Sequence, residues 1–423
     1  MNFLFPIYFF FWVLLLENTF GDNAVLFEIV DGLEVRISLI IKMSIFILNI
    51  ISIVGLGKVK IELKFFGVFL LFLFLSTCYT LLLNRSFFFN GLSQFIHILL
   101  NFQILFFVYI NTKNERNIIG LMNGLSVFAY FNAILVIISY FYPNLLTSFE
   151  AGTSYSGTTR AFGLMGDEVS LFLTFFLYYD LIRKRIFGVL IFLSAILCTG
   201  GIGATFTSAI LMCYYFYSKI KEYKFSQIKK NLFLFSSGLL VVIFISQLPK
   251  LSVFTRIGQN LYEFEEGGSG QFRLLSILNG YEMFVNRPIF GVGYGAYKNN
   301  VMSNYTGLIE NNGNVMSEST AGNILGSTYN PFLQMLCESG IIGLIFFIYL
   351  IMNTYSLLKI KIQTSSIFVQ NIRKTSLGWL VIFILTCLTA NWFLPNSFLM
   401  LLIMTLVGLN LKINELSNKL CEY

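Results

Sequence analysis

Residues 272–297 read FRLLSILNGYEMFVNRPIFGVGYGAY, and residues 327–344 read STYNPFLQMLCESGIIGL. Both belong to the one long polar interval of an otherwise strongly apolar chain. The runs before and after that interval look like membrane helices. A membrane protein that keeps one large ordered loop on one face does its work there, because loops carry function on a rigid scaffold.

The rest of the composition fits this reading. Of 423 residues, 56% are hydrophobic and 12% charged, with a mean hydropathy of +0.76. A soluble domain carries about 25% charged residues, so this chain cannot cover a water-facing surface and the bilayer must be its solvent. The net charge of +7 is spread over short loops rather than gathered in one patch. That distribution argues for membrane orientation and against nucleic-acid binding. The six cysteines form no CxxC pair and read as small buried hydrophobes. His97 is the only histidine and sits in an apolar run, so neither a metal site nor a Ser-His-Asp triad has material to build on. The first apolar run lacks a basic leader and a small-residue cleavage site, which predicts a retained helix.

A spanning helix needs about 20 apolar residues. On that measure the chain is expected to be an all-α polytopic membrane protein with about twelve transmembrane helices. They fall at 2–16, 35–55, 65–83, 87–110, 118–141, 168–182, 186–199, 202–217, 231–248, 338–358, 377–394 and 397–411. The expected division is an N-terminal helical part at 1–248 that includes an outer loop at 143–167, then a large, partly helical outer loop at 249–337 between the ninth and tenth spans. C-terminal helices and a tail follow at 338–423. Lys58, Lys60 and Lys64, then Lys113 and Arg116, then Arg183, Lys184 and Arg185 fall on alternate loops, as do the later lysines and Arg373. The positive-inside rule makes that side the cytoplasm, with both termini on it.

Within the large loop, Leu274, Leu278, Tyr281 and Val285 recur at helical spacing and Pro288 closes the run, predicting a helix over 271–286. Arginines on the outer side run against the positive-inside rule and are informative for that reason. Arg160 lies in the first long outer loop, and Arg256, Arg273 and Arg287 lie in the second. A guanidinium offers a planar fork of donors that matches phosphate oxygens. Such residues suit an anionic, lipid-linked substrate, or alternatively a salt bridge to Glu263 or Glu282. Arg273 and Arg287 are roughly 21 Å apart along a continuous helix and are not expected to grip one small anion together. Gly291, Gly293 and Gly295 read as a tight turn; the segment has neither the Lys-Ser/Thr of a phosphate-binding loop nor a preceding strand. Glu338 is expected to open the helix after the loop, as a cap or as a group that positions an acceptor hydroxyl. Lys42 is a charge inside the second expected span.

These residues resemble the O-antigen polymerase and O-antigen ligase superfamily of bacterial envelope proteins. The resemblance rests on Arg160 with Gly163, on Arg273, on Arg287-Pro288 with the three glycines, and on Asn330, Leu333, Glu338, Gly340 and Gly343. It implies a metal-independent glycosyltransferase without cofactors, acting on undecaprenyl-diphosphate-linked oligosaccharide at the outer face of the bacterial inner membrane. Arg160, Arg273 and Glu338 are then expected to act in transfer, and Arg256, Arg287, Gly291, Gly293, Tyr294, Tyr329 and Asn330 to bind substrate. Membrane lipid and a chain-length regulator protein are the partners it implies; nucleic acid is not. Ligases of the superfamily carry a histidine where this chain has Tyr329. That favours an O-antigen or capsule polymerase that transfers the growing glycan to the terminal sugar of a new lipid-linked unit, with a ligase that transfers it to lipid A-core as the alternative. The Ser-Arg-Gly often found mid-chain in the superfamily is here Gly200-Gly201-Ile202-Gly203. A transporter or flippase is the rival from another class, disfavoured because mid-membrane charge is sparse and the polar residues gather in one loop.

Overall fold

The computed structural model describes residues 25–30, 33–56, 64–83, 85–142, 168–222, 269–304, 327–360, 366–387 and 398–421. A short antiparallel hairpin of β1 (Val25–Val30) and β2 (Leu33–Arg36) comes first; the rest of the described chain is helical. The helices are α1 (Ile37–Leu56), α2 (Lys64–Leu83), α3 (Arg85–Asn111), α4 (Glu115–Phe141), α5 (Val169–Ile182), α6 (Ile186–Cys198), α7 (Ile202–Glu222), α8 (Ser269–Asn286), α9 (Tyr297–Asn304), α10 (Pro331–Lys359), α11 (Ile367–Thr386) and α12 (Phe398–Cys421).

The expectation of about twelve spans is wrong. Among the described residues, five helices are long and apolar enough to cross a membrane: Lys64–Leu83, Phe87–Asn111, Glu115–Phe141, Pro331–Lys359 and Leu399–Ser417. The reasons are physical. At 14 and 13 residues, α5 and α6 reach only about 20 Å at 1.5 Å per residue, short of the roughly 30 Å hydrocarbon layer. In α1, buried Lys42 and Asn49 interrupt the apolar run. Polar and basic residues, among them Gln370, Asn371, Arg373 and Lys374, fill the first half of α11. The runs expected at 2–16 and 231–248 lie outside the described residues.

The chain divides into two compact units, residues 1–9 with 122–262, and residues 10–121 with 263–423. In the first, every residue of α5 from Val169 to Asp180 is buried. Phe128 of α4 meets Phe172 edge-on at 5.7 Å, and Thr174 of α5 pairs with Ser208 of α7 at 3.1 Å. Tyr130 of α4 donates to Asp180, and Gly188 of α6 leaves room for both, since a Cβ there would lie 2.1 Å from the Tyr130 hydroxyl. Asp180 is a buried acid that the sequence reading passed over.

The second unit packs α2, α3, α10, α11 and α12 around an aromatic seam. Phe66 meets Phe102 edge-on at 5.8 Å, and Phe72 stacks on Phe346 at 4.7 Å. Gly408 lets α12 close on α3, where a Cβ would fall 2.6 Å from the Leu105 carbonyl; small residues serve membrane helices in this way. Lys42 lies buried in α1, whose Lys42 carbonyl accepts from Gln103 of α3 at 3.1 Å. At one end of this unit Arg373 of α11 donates to the Leu357 and Ile360 carbonyls at 2.8 Å. It also reaches Asn410 at 3.0 Å and Asn414 at 2.7 Å on α12. Tyr109 of α3 donates to Glu415 at the same end, at 2.7 Å.

Candidate functional site

At the opposite end of the second unit, α10 starts earlier than the sequence reading placed it. Asn330 is its N-cap, accepting from the Phe332 and Leu333 amides at 2.9 and 3.1 Å, and Pro331 takes the first helical position. Both residue types suit those places: the Asn oxygen satisfies orphan amides, and proline has no amide to satisfy. Thr328 reinforces the entry, donating its hydroxyl to the Asn330 carbonyl at 2.6 Å and its amide to Gln334 at 3.0 Å. Tyr329, half-buried between them, adopts the left-handed region at φ 54°. Glu338 therefore does not open the helix; it sits seven residues in from Pro331.

Two residues after Glu338 the helix breaks, at Gly340 with φ 67° and ψ −167°. In an unbroken helix the Ile341 and Ile342 amides would bond the Cys337 and Glu338 carbonyls. Here Ile341 donates to the Pro288 carbonyl at 2.9 Å instead. The freed carbonyls take amides from the glycine-rich loop: Val292 donates to Cys337 at 2.9 Å and Gly293 to Glu338 at 2.7 Å. The loop can lie this close only because Gly291 and Gly340 carry no side chain at the contact. A Cβ on Gly291 would fall 2.4 Å from the Glu338 backbone, and one on Gly340 would fall 2.0 Å from the Ile289 carbonyl. On its other flank, Gly295 lies over Gly91 of α3 at 2.5 Å and Gly293 over Thr80 of α2 at 2.1 Å by the same measure. All three loop glycines hold positive φ, the backbone region that glycine enters without strain.

The Glu338 side chain locks the loop from the other direction. It is 1% exposed. One carboxylate oxygen accepts the Tyr297 amide at 3.1 Å, and the carboxylate also takes hydrogen bonds from the Gly295 backbone and the Gln334 side chain. Tyr294 is buried with its amide on Ser76 of α2 at 3.2 Å, and Ser76 in turn meets Ser339 of α10 at 3.1 Å. Tyr297 donates to the Ser276 carbonyl of α8 at 2.9 Å, and Ser276 reaches the Ser327 carbonyl. Burial raises both phenols, Tyr294 and Tyr297, well above the usual tyrosine range, so each stays a neutral donor. Ser76, Thr80, Gly91, Ser276 and Gln334 were not foreseen; serines, threonines and glycines at such wide separations carry no spacing signal.

Of the four expected arginines, two lie on described backbone. Arg273 is in the first turn or two of α8, and its side chain lies outside the described set. Arg287 follows the helix, is exposed, and donates its amide to the Met283 and Phe284 carbonyls at 3.1 Å. Arg160 and Arg256 lie outside the described residues. The predicted helix at 271–286 is present as Ser269–Asn286. Its buried face is Ser276, Asn279 and Met283 with Gly280, whereas Leu278, Tyr281 and Val285 point away from the protein. No group of three or more His, Cys, Asp or Glu that could hold a metal ion comes together among the described residues.

In a comparison with known families, residues 169–348 fit the family described as O-Antigen ligase. That stretch covers α5 to the middle of α10, including the glycine loop, Glu338 and the Gly340 break. The sequence resemblance is thereby borne out over this part of the chain. No curated protein matches the chain.

Proposed function

We propose that this multi-pass membrane protein, which carries the O-antigen ligase family's domain over residues 169–348, transfers an oligosaccharide from a polyprenyl diphosphate to an acceptor hydroxyl at the membrane surface. One observation carries the reading. The exposed apolar face of α10 begins at Ile341, just past the break, and continues through Ile345, Ile348 and Met352. Residues 341–359 would measure about 28 Å as a helix, close to the roughly 30 Å hydrocarbon thickness. The break, the glycine loop and the start of α10 then lie at the level of lipid headgroups, the depth at which a lipid-linked diphosphate sits.

The chemistry follows from that depth. The bond from the anomeric carbon to the phosphate oxygen breaks, the acceptor oxygen bonds the same carbon and loses its proton, and the diphosphate leaves with increased negative charge. Guanidinium groups fixed there stabilise the transition state more than the ground state. Arg273, in the N-terminal part of α8 where amide dipoles also favour anions, and Arg160 are assigned this role. Arg256 and Arg287 are assigned to substrate binding, with Tyr329 and Asn330 near the acceptor. Glu338 is assigned to holding Gly291, Gly293 and Tyr294 in place, since its carboxylate is buried and used by backbone amides.

The acceptor distinguishes two readings. Transfer to a lipid A-core glycolipid is the ligase reading and agrees with the family's description. Transfer to a second lipid-linked unit is the polymerase reading, favoured by Tyr329 in the place of the histidine that ligases carry. Sidedness follows from charge: Lys64, Lys113, Lys359 and Lys412 gather at the end of the second unit away from the loop, so the loop end faces outward across a bacterial inner membrane. The test is purified protein in vesicles with undecaprenyl-diphosphate oligosaccharide and each acceptor separately. Product on the glycolipid supports the ligase, and a lengthened lipid-linked chain supports the polymerase. Carrier release with neither acceptor would overturn the proposal.

A further inference from the structure

We propose that the outward face of α8, continued by Ile289 and Phe290, is seated in the bilayer, so that this segment of the large loop is a membrane-interface helix rather than a water-exposed one. Ile277, Leu278, Tyr281, Val285, Ile289 and Phe290 are each between 41 and 59% exposed. At about 100° per residue the first four occupy a stripe roughly 100° wide. Glu282 and Asn286 border it on one side, both exposed, and the protein-facing Gly280 and Ser276 border it on the other. Three faces on one helix, against protein, water and an apolar medium, describe a helix lying in an interface. The Tyr281 ring and the exposed Arg287 suit the headgroup boundary.

The apolar medium is identified by continuity. Ring centroids of Phe290 and Tyr79 lie 5.8 Å apart. Tyr79 falls on the face of α2 that carries exposed Leu71, Leu75 and Leu82, and it lies in that helix's last two turns. On the other side, the Ile341 amide donates to the Pro288 carbonyl at 2.9 Å. Ile341 is where the exposed apolar face of α10 starts. The patch thus joins the outward faces of two spanning helices at the same end of each, and lipid that covers those faces covers it too. The seat requires only the spanning helices and is independent of the reaction catalysed.

The test uses the full chain in phosphatidylcholine vesicles, with tryptophan introduced as Tyr281→Trp or Leu278→Trp and, for comparison, as Lys298→Trp on the exposed side of α9. Emission from the native Trp12, Trp379 and Trp392 is subtracted using the unsubstituted protein. Brominated lipid is expected to remove most of the added emission at 281 and 278 while aqueous iodide leaves it, with the reverse at 298. Iodide quenching at 281 and 278 would place the face in water. Protection there from both quenchers would mean that protein covers it. Either result overturns the proposal.

Discussion

Gly340 illustrates how much one missing side chain decides. Its φ of 67° strains any L-residue, and the atoms a Cβ would meet are backbone, the Ile289 carbonyl and the Phe290 amide. Backbone cannot swing away as a side-chain tip can. Gly340→Ala is expected to cost at least the 1–2 kcal/mol of left-handed strain, read as a fall in thermal midpoint in detergent. Gly67→Ala, in α2 with nothing within 4 Å of a Cβ, is the control, expected to be neutral or stabilising by about 0.5–1 kcal/mol. Glu338 offers a sharper test of role. Its Gln variant keeps an acceptor for the Tyr297 amide, whereas Ala leaves buried donors unpaired at about 1–3 kcal/mol. If Glu338 positions the loop, Glu338→Gln retains most transfer activity and Glu338→Ala loses both activity and thermal stability. A general base would fail equally in both variants, with stability kept in the first. For Arg273→Ala, removal of a transition-state donor predicts a loss of about 10²–10³-fold in turnover with the protein still folded, measured on carrier-linked oligosaccharide.

At the scale of elements, a few side chains fix how helices end and meet. Arg373 satisfies the last carbonyls of α10 and two asparagines of α12 from its place on α11. A cation near a helix C-terminus is favoured there, and its removal strands four polar groups. Arg373→Met is expected to destabilise the second unit by roughly 3 kcal/mol in thermal unfolding, while transfer per folded molecule stays unchanged because the site lies at the other end. The same scale explains what could be read from sequence. The α8 helix was legible because spacing and Pro288 agreed, and the sharp glycine turn because three glycines alternate. The start of α10 was not, although Asn330-Pro331 is a capping signature, because the apolar run after Glu338 outweighed it. The span count failed because apolar runs do not show helix length: α5 and α6 are apolar throughout yet too short. The residues that flank the glycine loop were illegible for another reason, since Ser76, Thr80 and Gly91 come from helices about two hundred residues away.

For the whole molecule, the claim with most consequence is which way the second unit faces. Four facts within that unit agree on its two ends. Lys64 starts α2, Lys113 follows α3, Lys359 ends α10, and Arg373 ties that end of α10 to α12. Thr80 near the end of α2, Gly91 near the start of α3, and the break in α10 meet at the other end. Basic residues are retained on the cytoplasmic side, so the proposed orientation has the glycine loop facing out. Cysteine introduced at exposed Lys298, beside the loop, is therefore expected to react with a membrane-impermeant maleimide added to intact spheroplasts. Cysteine at exposed Lys113 is expected to react only after the membrane is opened. Labelling of the unsubstituted protein sets the background from native thiols such as exposed Cys213. The reverse pattern would put the loop in the cytoplasm, and with it would go the assignment of an outer-leaflet carrier, because the diphosphate and the arginines would then lie on opposite faces of the bilayer.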